Sequence, residues 1–131
     1  MSYEVSSSVS PLVSFSFGVI DFGAGGEVLS LKLPAAKKAR LVDVILSATE
    51  TFTNTTTSGK VQIGTAADPD KYAQLDCLTT ADTDSITAID QSGALIDQDI
   101  AAGTQIEITC VAPTGGTPAG IGFVVVVLQL F

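Results

Sequence analysis

GIGFVVVVLQLF, residues 120–131, carries no charge and a single polar side chain, Gln129. A membrane helix needs about 20 consecutive apolar residues, so this run is too short to be one. Its consecutive valines, Val124 to Val127, crowd a helical turn and suit a pleated surface. The run therefore reads as a long strand. A half-buried strand alternates apolar with polar residues; this one does not. Both of its faces are apolar, as in a strand that lies centrally in a sheet and is covered on both sides. The domain's own core is the expected cover on one side. A second subunit is the expected cover on the other, because a bare strand of this composition invites aggregation.

The rest of the chain agrees with a β-protein. Val, Ile and Thr supply 38 of the 131 residues. In VSFSFGVI, residues 13–20, Val13, Phe15, Phe17 and Val19 alternate with Ser14, Ser16 and Gly18. EVLSLKL, 27–33, repeats the pattern through Leu29, Leu31 and Leu33. The glycine-rich DFGAGG, 21–26, lies between them, so these first two strands are expected to pair antiparallel. ARLVDVILSAT, 39–49, is a longer strand with Val42, Val44 and Leu46 on one face and Leu41, Asp43 and Ile45 on the other. ETFTNTTTSG, 50–59, reads as a loop and KVQIG, 60–64, as a short strand.

In ADPDKYAQL, 67–75, Asp68 is a cap, Pro69 suits the first helical position and Asp70 sits near the positive end; a short helical turn is predicted. SITAI, 85–89, and ALIDQDI, 94–100, are candidate strands. TQIEITCV, 104–111, is a strand with Ile106, Ile108 and Cys110 on one face. APTGGTPAG, 112–120, is a turn. The expected fold is all-β: an antiparallel β-sandwich, jelly-roll-like, of seven to eight strands with one short helical turn near 69–76. By length it is a single domain, over 12–131, preceded by an extended arm over 1–11. That arm, MSYEVSSSVSP, is polar with isolated Tyr3, Val5 and Val9. It reads either as a frayed terminus or as a segment that orders on binding and adds a strand to a partner's sheet.

Charge is unevenly distributed. Residues 1–60 hold five acids and five bases; residues 61–131 hold nine acids and Lys71 alone, so the whole net charge of −8 lies in the second half. Direct binding of nucleic acid is not expected there. The basic residues Lys37, Lys38 and Arg40, with Lys32 nearby, form either a solvated turn or a contact for an acidic partner surface. MSYEVSSSVSP lacks the basic and apolar regions of a secretory signal. Cys77 and Cys110 form no C-x-x-C pair and read as reduced core thiols in a protein made in a cytoplasm, with a single disulfide left open.

Enzyme chemistry is hard to find. With no histidine, Ser-His-Asp and Cys-His machinery and most zinc sites are gone. GAGG, 23–26, lacks the spacing of a dinucleotide fingerprint, and SGK, 58–60, is followed by Val61 where a phosphate loop needs Ser or Thr. The D-x-D pairs at Asp68 and Asp70, Asp82 and Asp84, and Asp97 and Asp99 fit no EF-hand loop. They read as solvated turns and a helix cap, with a structural calcium as the alternative. Glycosidase carboxylates and sugar-binding sites usually work beside aromatic platforms, and the chain has no Trp and two Tyr. No catalytic, cofactor or metal residue is nominated, and the expectation is a protein that is not an enzyme. Asn54-Thr55-Thr56 is a formal glycosylation sequon, read here as loop chemistry.

KVQIGTAADPDKYAQL, residues 60–75, combines a V-x-I-G-T strand end with a D-x-D-K-Y turn. Later, an AAGT turn ending at Thr104 leads into a T-x-I-x-I-T strand, then a Gly/Pro turn and the closing hydrophobic strand. Over roughly residues 60–131 the chain resembles head-decoration (cement) and related accessory virion proteins of tailed bacteriophages. Residues 1–59 share only general β character. The resemblance implies a non-enzymatic protein on the capsid surface of the virion, made in the host bacterial cytoplasm. It implies the major capsid protein as partner, clamped from outside, and a self-associated dimer or trimer, with no membrane partner. Tyr3, Val5, Val9, Lys37, Lys38 and Arg40 are the candidate contacts. The alternatives are another phage accessory piece, such as a head-fibre base or tail-associated sandwich, and a secreted module binding glycan or protein.

Overall fold

The computed structural model describes residues 12–131. Among them are nine strands and no α-helix: β1 (Leu12–Asp21), β2 (Gly26–Lys32), β3 (Ala39–Thr53), β4 (Lys60–Gly64), β5 (Ala73–Asp76), β6 (Ser85–Thr87), β7 (Asp99–Ile100), β8 (Gln105–Val111) and β9 (Ala119–Leu130). One sheet runs β1-β9-β3-β6, with the two-residue β7 also on β3; the other runs β2-β8-β4-β5. Every pairing is antiparallel. The sheets enclose one apolar core, a β-sandwich as expected.

β9 lies centrally, between β1 and β3. Val124, Val126 and Leu128 are fully buried in the core, each contributing about 1.5–3 kcal/mol. The intervening Phe123, Val125 and Val127 point away from it and are half-buried. So one face of the strand has its cover in the core, and among the described residues the other is only half covered.

The first two strands do not pair with each other. β1 pairs with β9 and β2 with β8, and the connection between them arches from one sheet to the other. Phe22 causes this. It is fully buried and meets Phe52 edge-on, with ring centroids 5.1 Å apart. Its N–H and that of Gly23 donate to the Gly120 carbonyl, so the turn dives across the core where a hairpin would have stayed at the surface.

Two bulges move side chains off their expected faces. Phe17 and Gly18 together oppose one residue of β9, between the pairs Ser16–Val125 and Val19–Phe123. Gly18 takes φ +69° there, a conformation that costs glycine little. Alternation therefore slips by one: Val19, expected beside Phe17, is 59% exposed, and Ile20 is buried. On β3, Val42 is the extra residue between Leu41–Leu128 and Asp43–Val127. Leu41 thereby joins Val44 and Leu46 in the core, although strict alternation placed it opposite them.

The expected helical turn near 69–76 is absent. Asp68 accepts from the N–H groups of Thr65 and Lys71 in one tight turn, and Tyr72 then donates to Ile63 as the chain enters β5. Ala73, Leu75 and Cys77 are buried while Gln74 and Asp76 are half-buried. That period of two, in contact with β4, overrides the capping residues. β3 continues to Thr53, into what reads as a loop. Conversely, 85–89 and 94–100 shrink to β6 and β7. Residues 88–98 instead bridge the two sheets: Ala88 donates to Val44 on β3, Ala94 accepts from Gln74 on β5, and Ile96 donates to Tyr72.

The two cysteines are buried and free. Cys77 follows β5 and Cys110 lies on β8, on either side of β4. Two strand spacings hold them about 10 Å or more apart, beyond the reach of a disulfide.

Candidate functional site

The outward face of the larger sheet is built in five rows, read from the strand register. Leu12, Gln129 and Arg40 form the first; Ser14, Val127 and Asp43 the second; Ser16, Val125, Ile45 and Thr87 the third. Val19, Phe123, Ser47 and Ser85 make the fourth, and Asp21, Ile121 and Glu50 the last. The outward face of an antiparallel sheet is ordinarily polar. Here its centre line is Val127, Val125, Phe123 and Ile121, four half-buried apolar side chains in succession along β9. Ser14 and Ser16 flank them on β1 and Ser47 on β3, with Ile45 beside Val125 and Asp43 beside Val127. Leu12 and Val19 add apolar surface at the β1 margin, 64% and 59% exposed.

Among the described residues, exposed charge stands at the two ends of this plate. Arg40 stands at one end, Asp21 and Glu50 at the other. Asp43, beside Val127, is 8% exposed and its carboxylate is occupied: it accepts from the N–H of Val44 at 2.8 Å and of Ile89 at 3.1 Å. The carboxylate thus ties the 88–98 bridge to β3. The plate offers a desolvatable apolar surface with a polar surround, the pattern of a protein-binding patch.

The nominated basic residues fall at the Arg40 end. Arg40 lies in the first row itself. Lys37 and Lys38 lie in the exposed corner between β2 and β3, where Lys37 donates to Pro34 and Lys38 exchanges backbone hydrogen bonds with Phe131 in both directions, at 2.8 and 3.0 Å. A shallow open depression of about 490 Å3 lies here, lined in part by Lys38, Asp99 and Phe131. The structure therefore brings the three nominated bases to one end of the sandwich, beside the plate. Tyr3, Val5 and Val9 lie outside the described residues. The plate residues Ile45, Phe123, Val125 and Val127 were not nominated from sequence, although the missing alternation of 123–127 was their signal.

Among the described residues no chemically poised group accompanies the plate. The thiols lie on the other sheet: burial, then the charge of Glu27, pushes Cys110 up to about 12, and burial, then Cys110 and Asp76, pushes Cys77 higher still. Both stay protonated at neutral pH and are poor nucleophiles and ligands. Among the described residues no three His, Cys, Asp or Glu side chains converge on a common point. In the last D-x-D segment the Asp97 carboxylate serves its own turn, accepting from the Asp99 N–H. No helix of the described residues is long and apolar enough to cross a membrane.

No family model and no curated protein matches the chain. Among solved structures it is similar to a chain of the cyanophage Pam1 capsid asymmetric unit, at 16% sequence identity and a TM-score of 0.52. The match covers 98% of this chain and 91% of that one. At such identity the likeness is one of fold, and it spans nearly the whole of both chains.

Proposed function

We propose that this chain is a non-enzymatic structural protein of a bacteriophage virion, one that binds the outside of an assembled capsid and bridges neighbouring major capsid subunits. The observation that carries the reading is the end-to-end likeness of fold to a chain from a phage capsid. The apolar plate supports it, because a protein that works by attachment needs a rigid surface to attach with. The strand order supports a jelly roll: β1, β9, β3 and β6 in one sheet interleave with β2, β8, β4 and β5 in the other, as two Greek keys do.

The mechanism is mechanical. A shell under internal pressure opens first at the joints between subunits. A protein whose site spans such a joint binds the assembled shell and not the separated subunits. It stabilises the shell by linkage, about 2.7 kcal/mol per site at a free concentration a hundredfold above Kd. The plate supplies apolar area, and Arg40, Lys37 and Lys38 supply orientation toward an acidic rim.

The test is thermal release of DNA from genome-filled heads with and without this protein. A higher release temperature with it bound is the expected outcome. Equal release temperatures at saturating occupancy would sink the clamp mechanism; failure to co-sediment with intact heads would remove the capsid as partner.

A further inference from the structure

The two open sides of the sandwich are unlike each other. On the β5/β6 side, residues 88–98 close the gap between the sheets, and Gln91 caps the β5 edge: its side chain accepts from the Asp76 N–H at 2.7 Å and donates to the Asp76 carbonyl at 3.0 Å. On the other side β1 lies against β2, and beyond the arch at 22–25 no described residue covers them. Val13, Phe15 and Phe17 of β1 and Leu29 and Leu31 of β2 point inward yet are only half-buried. An exposed sheet edge is normally guarded by charge, proline, a bulge or shortness. β2 carries Glu27 and Lys32; β1 is ten residues long, has no charge from Leu12 to Ile20, and has its bulge only at Phe17–Gly18, leaving Leu12–Ser16 unguarded.

We infer that β1 is a self-association edge, pairing antiparallel with β1 of a second copy of this chain across a two-fold axis at Phe15. This inference does not rest on the capsid reading. The register it needs is present in the sequence. VSFSF, 13–17, is symmetric in pattern about Phe15, so Ser14 meets Ser16 of the second copy and Val13 meets its Phe17. Like faces meet like faces, as antiparallel pairing demands, and the Gly18 bulge begins where the symmetric run ends.

Charge favours this edge over the other. Eight of the nine acids of residues 61–131 lie between Asp68 and Asp99, around β5, β6 and β7. Pairing through β1 leaves those acidic sides outermost, several strands apart and beyond the roughly 8 Å range of charge repulsion at physiological salt. About an axis at Phe15 the run that pairs is residues 12–18, about 23 Å long, and the sandwich with its side chains is about 20 Å thick. That gives on the order of 450 Å2 per copy, about 900 Å2 in total, near the lower bound of a specific interface.

The experiment uses light scattering on the purified chain and two variants, Ser14→Lys with Ser16→Lys, and Ser14→Glu with Ser16→Glu. Both serines are exposed, and far-UV circular dichroism checks that the variants fold. The wild type should have twice the chain mass. Each variant alone should have the mass of one chain, because like charges then face each other across the axis. An equimolar mixture should recover the doubled mass as a Lys/Glu heterodimer. A wild-type monomer, a trimer, or a dimer that survives either variant would overturn β1 pairing, and so would a mixture that stays monomeric.

Discussion

Val125 and Val126 are chemically identical neighbours on opposite faces of β9, and replacing each by threonine separates core from plate. Val126 is fully buried, between Phe15 of β1 and Val44 of β3. Threonine nearly matches valine in volume, so no cavity opens; a hydroxyl replaces one methyl. In an apolar core that hydroxyl goes unpartnered, at a cost of about 1–3 kcal/mol, and the lost methyl adds about 0.8 kcal/mol. A destabilisation of about 2–4 kcal/mol is expected, a large share of the roughly 5–15 kcal/mol a domain has. Val125 is half-buried and points outward beside Ser16 and Ile45. Its threonine hydroxyl reaches water and keeps the β-branch, so about 0.5 kcal/mol or less is expected. Urea unfolding followed by far-UV circular dichroism measures both. The midpoint should fall for Val126→Thr with an unchanged slope, and stay near wild type for Val125→Thr. Equal losses, or a larger loss at Val125, would show that the plate is not a free face and that the core assignment of β9 is wrong. If the plate binds the shell, Val125→Thr weakens co-sedimentation with heads while leaving the unfolding midpoint in place.

The thiols give a pH signature. Burial raises both above the ordinary thiol value, so the folded state holds their protons more tightly than the unfolded state does. Their stabilising contribution is complete below about pH 8.5 and is lost as pH rises toward 12; the urea midpoint should fall over that window, less steeply in a Cys77→Ala, Cys110→Ala chain than in wild type. Gly26→Ala should prevent folding or cost more than 3 kcal/mol, because Gly26 takes φ +71° and a Cβ there runs into the Cys110 carbonyl. Gly93→Ala, at φ +77° with open space around it, should cost only the backbone term of about 1 kcal/mol, as thermal melting will show. Asp43→Ala leaves the Val44 and Ile89 N–H groups without their acceptor. A loss of about 2 kcal/mol is expected, with faster hydrogen exchange at Ile89, while Asp43→Asn should recover part of it.

Alternation made most of the sheet legible. Leu29, Leu31, Ile106, Ile108 and Cys110 lie on the faces their period assigns, and the apolar second face of 123–127 announced a central strand with an outward apolar surface. The failures have particular causes. A single extra residue, Val42 on β3 or the Phe17–Gly18 pair on β1, reverses every later face without changing composition, so Leu41 and Val19 were misplaced. A glycine-rich turn does not say whether the chain returns to the same sheet. Phe22 decides that, through a contact with Phe52 thirty residues away in sequence. Asp68 and Pro69 would start a helix in isolation, but the backbone of Ile63 takes the Tyr72 N–H first. The plate needed the register of β1, β9 and β3 together, and no local pattern contains that.

If the plate seats on one capsid subunit it provides one attachment, and bridging then requires a second held at a fixed spacing. β1 pairing supplies the second. In an antiparallel pair about an axis normal to the sheet, both outward faces point the same way, so two copies set two plates side by side on one surface. The second attachment then becomes intramolecular, and avidity rises without new contacts. A monomer with an intact plate should still bind heads singly but leave their DNA release temperature unchanged. The charge variants test this with their own control. The Lys chain, the Glu chain and their mixture all alter Ser14 and Ser16 at the plate margin, and only the mixture pairs. If pairing supplies the second attachment, the mixture raises the release temperature and either chain alone does not. If all three fail alike while the mixture is dimeric, the serines belong to the shell contact itself and bridging comes from elsewhere. If all three succeed alike, one plate already spans a joint and the dimer has another purpose.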